Sequence, residues 1–198
     1  MNPAYVYRTD IETWRDFRSD SQQAFAYLYN RYVVMLYHYG NRLTSDREMI
    51  EDCIQDLFIE LWQNRAQLGE TDSVKFYLFK ALKRKLVKRL VNHRKYTIGS
   101  FEPEDYDFEI VLSPEFDLIT RQVSQEQKDQ MVKALNSLTK RQKEAITLKF
   151  YDGLSYQEVA VLMAMSVRAT YNLIYRAIEV LRSQLDKIVF MLMSVYLA

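Results

Sequence analysis

At 198 residues the chain is long enough for one compact domain or two small ones, and its 27 basic and 26 acidic side chains nearly cancel. Four glycines and three prolines stand among abundant aliphatic, aromatic and long charged residues, with no sustained alternating segment, so the fold class is all-α. A single cysteine excludes an intrachain disulfide and a cysteine-based metal cluster.

The near-neutral total hides an electrical segmentation. Residues 1–70 hold eleven acidic against seven basic side chains, and residues 71–96 hold one against nine. Residues 97–127 hold eight against one, and 128–198 six against ten. Two basic blocks separated by an acidic connector point to two contacts with a polyanion. The organisation expected is a helical domain over 1–96, an acidic linker over 97–120, and a second helical domain over 121–198.

Residues 1–20 are polar with scattered aromatics and are expected to start with a loose arm. Ser19 or Asp20 is positioned to cap the first substantial helix, over 21–43. Phe25, Leu28, Tyr29, Tyr32, Val33, Leu36 and Tyr37 give it a broad apolar face suited to a bundle core. Ser45 with Glu48 reads as a capping box opening a helix that runs to about Arg65. Its inner face is Ile50, Cys53, Ile54, Leu57, Phe58 and Leu61; Cys53 there is a small core residue. Glu51, Asp52, Gln55, Asp56 and Glu60 leave an acidic outer face. No histidine or nucleophile accompanies them, so they gain no acid-base assignment. They form either a solvated face or a docking face for a basic protein, anchored by Phe58 and Trp62.

A turn over 65–72 follows, with Asp72 or Ser73 capping the next helix. The stretch from Ser73 to Lys95 interleaves aromatics with nine basic residues. Phe76, Phe79, Leu82, Leu86 and Leu90 make an inward seam, while Lys80, Lys83, Arg84, Lys88 and Arg94 are free to meet phosphates. A membrane-surface helix would share this density of charge. Tyr77 and Trp62 are candidates to stack on unpaired bases. From Tyr96 to about Leu118 the pattern breaks at Gly99, Pro103 and Pro114 among acids, the signature of a linker. A further helix starts around 113–117 and leads through Val123, Met131, Ala134 and Leu135.

Three capped helical segments close the chain. Thr139 with Gln142 and Ser155 with Glu158 form reciprocal capping pairs, and Asp152-Gly153 stops the first helix. The second helix covers Tyr156 to about Met163, and Ala164-Met165 turns into Ser166, a cap for the third. On the third, Val167, Tyr171, Ile174, Ile178 and Leu181 read as an inward stripe with Thr170 and Ala177 beside it. Arg168, Asn172 and Arg176 fall opposite. A short helix, a tight turn and a helix with a basic and amide face make a helix-turn-helix, or else an ordinary helical hairpin. The apolar tail from Ile188 is eleven residues, too short to span a bilayer, and reads as core, partner-binding or inhibitory cover. No basic start precedes an apolar run, so no signal peptide is expected.

The whole arrangement resembles an extracytoplasmic-function (ECF) sigma factor of the sigma-70 family, with its tone close to the iron-transport-regulator-like branch. The matching stretches are F-A-Y-L-Y-N-R-Y, E-D-C-I-Q-D-L-F-I-E-L-W and the basic segment after Ser73. In the second half they are L-T-K-R-Q-K-E-A-I-T-L-K-F-Y-D-G-L-S-Y-Q-E-V-A and S-V-R-A-T-Y-N-L-I-Y-R-A-I-E-V-L-R. The resemblance implies that Asp52, Gln55, Asp56 and Phe58 contact the clamp of core RNA polymerase. It implies reading of a −10 promoter element by Trp62, Tyr77, Lys80, Lys83, Arg84, Lys88 and Arg89. It also implies a −35 contact by Lys149, Ser166, Arg168, Ala169, Asn172 and Arg176, with Arg168 and Asn172 at base edges. Two departures stand out: Arg84 and Lys88 replace the asparagine and aspartate frequent in relatives, and the Ala164-Met165 turn lacks glycine.

The expected function is a cytoplasmic initiation factor with no reaction and no cofactor of its own. Its expected partners are core polymerase, promoter DNA and, by resemblance alone, a membrane-associated anti-sigma factor, without membrane insertion. A stand-alone helix-turn-helix regulator is the alternative.

Overall fold

The computed structural model describes residues 9–98, 106, 108–110 and 125–184. The linker prolines, Arg94's side chain and the tail from Ile188 lie outside the described residues. All described regular structure is helical, in two compact units, residues 1–106 and 107–198.

In the first unit, α1 (Asp10–Arg18), α2 (Gln22–Leu43), α3 (Arg47–Asn64) and α4 (Val74–Ile98) pack as a bundle in which α2 touches all three others. The loose start expected before residue 9 lies outside the described residues, and α1 is a helix that the sequence reading did not anticipate. Thr9 and Glu12 form its capping box, and Trp14 and Phe17 are each 1% exposed. What holds so short and polar a helix is tertiary. Trp14 Nε1 donates to the Gly69 carbonyl (3.1 Å), Tyr32 donates its hydroxyl to Asp10, and Arg31 pairs with Asp10 at 2.9 Å. None of those partners is within a local sequence window.

Two caps move by one residue or more. Ser19 already ends α1 and Asp20 takes the left-handed conformation (φ 74°), so Ser21 is left to cap α2. Asp46, not Ser45, caps α3, accepting from the Met49 N–H at 3.0 Å. Ser73 caps α4 through the Phe76 N–H (3.2 Å). The core is built on Leu36, Tyr39, Ile50, Cys53, Phe79, Leu82 and Leu86, all fully buried, with Tyr39 stacked on Phe79 at 4.7 Å. α2 and α3 meet at Gly40, where an added Cβ would lie 2.7 Å from Ile50 Cγ2.

The second unit comprises α5 (Gln125–Ser137), α6 (Lys140–Ile146), a π-helical stretch Thr147–Tyr151, α7 (Tyr156–Leu162) and α8 (Val167–Gln184). Both expected capping boxes are present, Thr139 with Gln142 and Ser155 with Glu158. Gly153 (φ 66°) takes the left-handed turn after Asp152. Between α7 and α8, Ala164 adopts the same region at φ 51°, and Met165 N–H donates to the Ala160 carbonyl (2.9 Å). The alanine therefore does what the absent glycine would do, at a steric cost of about 1 kcal/mol.

The inward stripe of α8 is Thr170, Ile174, Ala177 and Leu181. Val167 and Tyr171, expected in that stripe, are 37% and 48% exposed. Thr170 can be buried because its hydroxyl donates to the Ser166 carbonyl (3.1 Å), and with Ala177 it lets α8 pack closely.

Candidate nucleic-acid and partner interfaces

On α3, Glu51, Asp52, Gln55, Ile59 and Glu60 face solvent and Asp56 is half-buried. The carboxylates are not bare. Arg89 forks onto two of them, Nη1 to Asp52 (3.0 Å) and Nη2 to Asp56 (2.6 Å), while Lys85 Nζ reaches Glu60 at 2.5 Å. The hydrogen bond to Asp52, opposed by partial burial, holds the Arg89 guanidinium above its ordinary pKa. Beside this face lies an apolar groove of about 670 Å³ floored by Phe25, Tyr29, Phe58, Ile59 and Trp62. Phe58, expected as an outer contact, is 3% exposed and packs edge-on against Tyr29 (4.9 Å) and Phe25 (6.0 Å). It shapes the groove from within.

The α4 cations divide into two rows by helical geometry. Lys80, Arg84 and Lys88 recur every fourth residue and are exposed. Lys85 and Arg89, also four apart, turn toward α3 and are the ones just described as paired. Arg89 is thus separated from the other expected −10 residues. Lys83 donates to the Tyr106 hydroxyl (2.6 Å) with its ammonium 4.8 Å from that ring. Tyr77 and Trp62 are half-buried in one aromatic cluster. Tyr77 lies 5.1 Å from Trp14, and Trp62 lies 5.1 Å from Phe25 with Arg65 4.3 Å above its ring.

On α8, Arg168, Asn172 and Arg176 form an exposed row opposite the buried stripe. Ser166 is spent on the cap, its Oγ accepting from Ala169 N–H at 3.1 Å, and Ala169 is half-buried. Lys149 points inward along the turn, donating to the Leu154 carbonyl (3.1 Å) with its ammonium 4.9 Å from the Tyr156 ring. Sequence reasoning missed the aromatics beside the basic row. Tyr171 stacks on Tyr156 at 3.8 Å, and Tyr175 is 64% exposed. Helical offset from Arg168 was the available signal, three residues for Tyr171 and seven for Tyr175. Assigning Tyr171 to the inward stripe obscured it.

A short helix, a tight left-handed turn and a helix with an outward basic and amide row constitute a helix-turn-helix. The sequence matches the sigma-70 region 2 profile over residues 28–96 and the sigma-70 region 4 profile over residues 128–181, together more than half of the chain. The chain belongs to the ECF class of the sigma-70 family. It is similar to the ECF RNA polymerase sigma factor SigK of Mycobacterium ulcerans (strain Agy99), 24% identical over 173 residues. That alignment covers 87% of this chain and 91% of that protein. SigK of Mycolicibacterium vanbaalenii is 26% identical over 161 residues, covering 81% of each chain. Among solved structures, the fold is similar to CnrH in complex with the cytosolic domain of CnrY (TM-score 0.54, 21% identity, 88% of this chain and 95% of that one). It is equally similar to the sigma factor RpoE in complex with the anti-sigma factor NepR from Bartonella quintana (TM-score 0.54, 21% identity, 81% and 95%).

The sigma-70 family is non-catalytic, so this sigma factor is a regulatory protein and not an enzyme. Among the described residues no helix is long and apolar enough to cross a membrane, and no group of histidines, cysteines and carboxylates is disposed to hold a metal.

Proposed function

We propose that this sigma factor joins core RNA polymerase through α3, reads a −35 element with α8 and a −10 element with α4, and helps separate the strands there. Polymerase keeps the chemistry. The observation that carries the reading is the outward placement of three distinct surfaces: the carboxylates of α3, the Lys80–Arg84–Lys88 row and the Arg168–Asn172–Arg176 row. Asp52, Gln55 and Asp56 dock the polymerase, and the Phe58–Trp62 groove receives apolar side chains beside them. Lys80, Lys83, Arg84 and Lys88 neutralise phosphates, with released counterions driving the binding. Tyr77 and Trp62 offer ring edges to unstacked bases. Arg168 and Asn172 carry the donors suited to guanine and adenine edges, while Arg176, Lys149, Ser166 and Ala169 position the duplex.

The setting is the cytoplasm, and an anti-sigma protein is the natural competitor for these surfaces, a reading supported by the similar sigma factor RpoE having been solved in complex with the anti-sigma factor NepR. Within the ECF class, the tone of the sequence motifs favours the iron-transport-regulator-like branch. Reconstituted transcription tests the function: purified chain converts core polymerase into a promoter-selective enzyme on a genome-derived library. DNA binding that needs no core polymerase would instead identify a stand-alone regulator.

A further inference from the structure

Tyr175 is the most exposed large apolar or aromatic side chain among the described residues, 64% accessible on a helix whose opposite face is fully buried. It lies seven residues after Arg168 and three after Asn172. In the homeodomain variant of the helix-turn-helix, the recognition helix presents residues to the major groove at offsets of 0, 3, 4 and 7. Arg168, Tyr171, Asn172 and Tyr175 occupy those offsets. Tyr171's ring is committed to Tyr156 at 3.8 Å, which leaves Tyr175 as the aromatic available to DNA. Its neighbours on the same face, Arg168, Asn172 and Arg176, suit a phosphate-lined groove better than an apolar protein surface.

We propose that Tyr175 is a specificity-determining residue whose ring packs on the C5-methyl group of a thymine in the upstream promoter element. Thymine alone among the bases presents a methyl in the major groove, and an apolar side chain is what distinguishes it. Tyr175 lies about 10 Å along the helix axis from Arg168. The thymine therefore belongs to the same upstream element as the base that Arg168 reads. The inference rests on the assignment of α8 to the −35 element.

The test uses full-length chain with core polymerase and a promoter duplex selected from a random-sequence pool. Each upstream thymidine is replaced in turn by deoxyuridine, which removes only the methyl. One position, within the element whose base preference Arg168→Ala relaxes, should weaken binding about fourfold, as for one methyl group returned to water. Tyr175→Ala should abolish that deoxyuridine effect, and Tyr175→Phe should retain it. An equal deoxyuridine penalty in wild type and Tyr175→Ala overturns the proposal. So does a Tyr175→Phe loss as large as that of alanine, which means a hydroxyl–phosphate contact, or an effect of Tyr175→Ala on core-polymerase affinity alone, which means a protein contact. Unchanged upstream binding in Arg168→Ala would instead remove the parent assignment of α8.

Discussion

The division of α4 into an outer and an inner cationic row makes a quantitative prediction. Lys80, Arg84 and Lys88 are exposed, whereas Arg89 is held at 3.0 and 2.6 Å by Asp52 and Asp56, and Lys85 at 2.5 Å by Glu60. Each phosphate neutralised contributes about 0.9 to the slope of log K against log salt on duplex DNA and about 0.7 on single strands. Alanine at any one of the outer three should therefore flatten that slope by about 0.7–0.9, and the triple variant by about 2–3. Arg89→Ala should leave it unchanged and cost stability instead. The pairs are only partly buried, with Arg89 36% and the aspartates 55% and 49% exposed, so the loss is about 1 kcal/mol. The assay is filter binding or fluorescence anisotropy of the polymerase complex on promoter DNA across a salt series, with thermal melting of the free chain alongside. A slope change in Arg89→Ala equal to that of Lys88→Ala would mean that the ion pairs open on DNA, and the two-row division would fail.

Three further outcomes are expected. Asp56→Arg puts a like charge against Arg89 and should weaken core-polymerase binding at least tenfold while the helical circular-dichroism signal persists; unchanged affinity removes Asp56 from the docking face. Ala164→Gly relieves the Cβ strain at φ 51° and should stabilise the second unit by about 0.5–1 kcal/mol, read by denaturant melts. A loss would mean that glycine's unfolded-state entropy outweighs the strain. Gly40→Ala places a methyl 2.7 Å from Ile50 Cγ2, so overpacking of about 1–3 kcal/mol should exceed the gain in helix propensity of about 1 kcal/mol. A net increase in stability would show that α2 and α3 separate freely.

The helical architecture was legible because capping boxes and periodic apolar faces are local signals. Thr139 with Gln142, Ser155 with Glu158 and the turn at Gly153 lie where short-range chemistry puts them. What escaped was decided by distant residues. α1 exists because Trp14 reaches Gly69 and Asp10 meets Tyr32 and Arg31, contacts spanning from 21 to 55 positions of sequence. The expected stripe on α8 holds at Thr170, Ile174, Ala177 and Leu181 and fails at Val167 and Tyr171, for a related reason. Hydrophobicity favoured Val167 and Tyr171, but close packing of α8 favours Thr170 and Ala177, and the threonine satisfies its hydroxyl within its own helix. Arg168, Asn172 and Arg176 were legible as an outward row because a four-residue step keeps one face whichever stripe is buried.

Charge counting along the chain could locate the basic block on α4 but not its direction of action. Nine cations fall between Ser73 and Lys95, yet two of them, Lys85 and Arg89, spend their charge on the acidic face one helix earlier. The acidic block of α3 and the basic block of α4 are thus partly a single internal pairing, which staples two helices that also share a buried apolar seam. The field offered to DNA is set by the outer row, and the field offered to a basic partner by α3 carboxylates already half-neutralised by Arg89. A partner that claims Asp52 and Asp56 must compete with that guanidinium, so its attachment should respond to Arg89 substitution as well as to the aspartates. Promoter contact through Lys80, Arg84 and Lys88 carries no such competition.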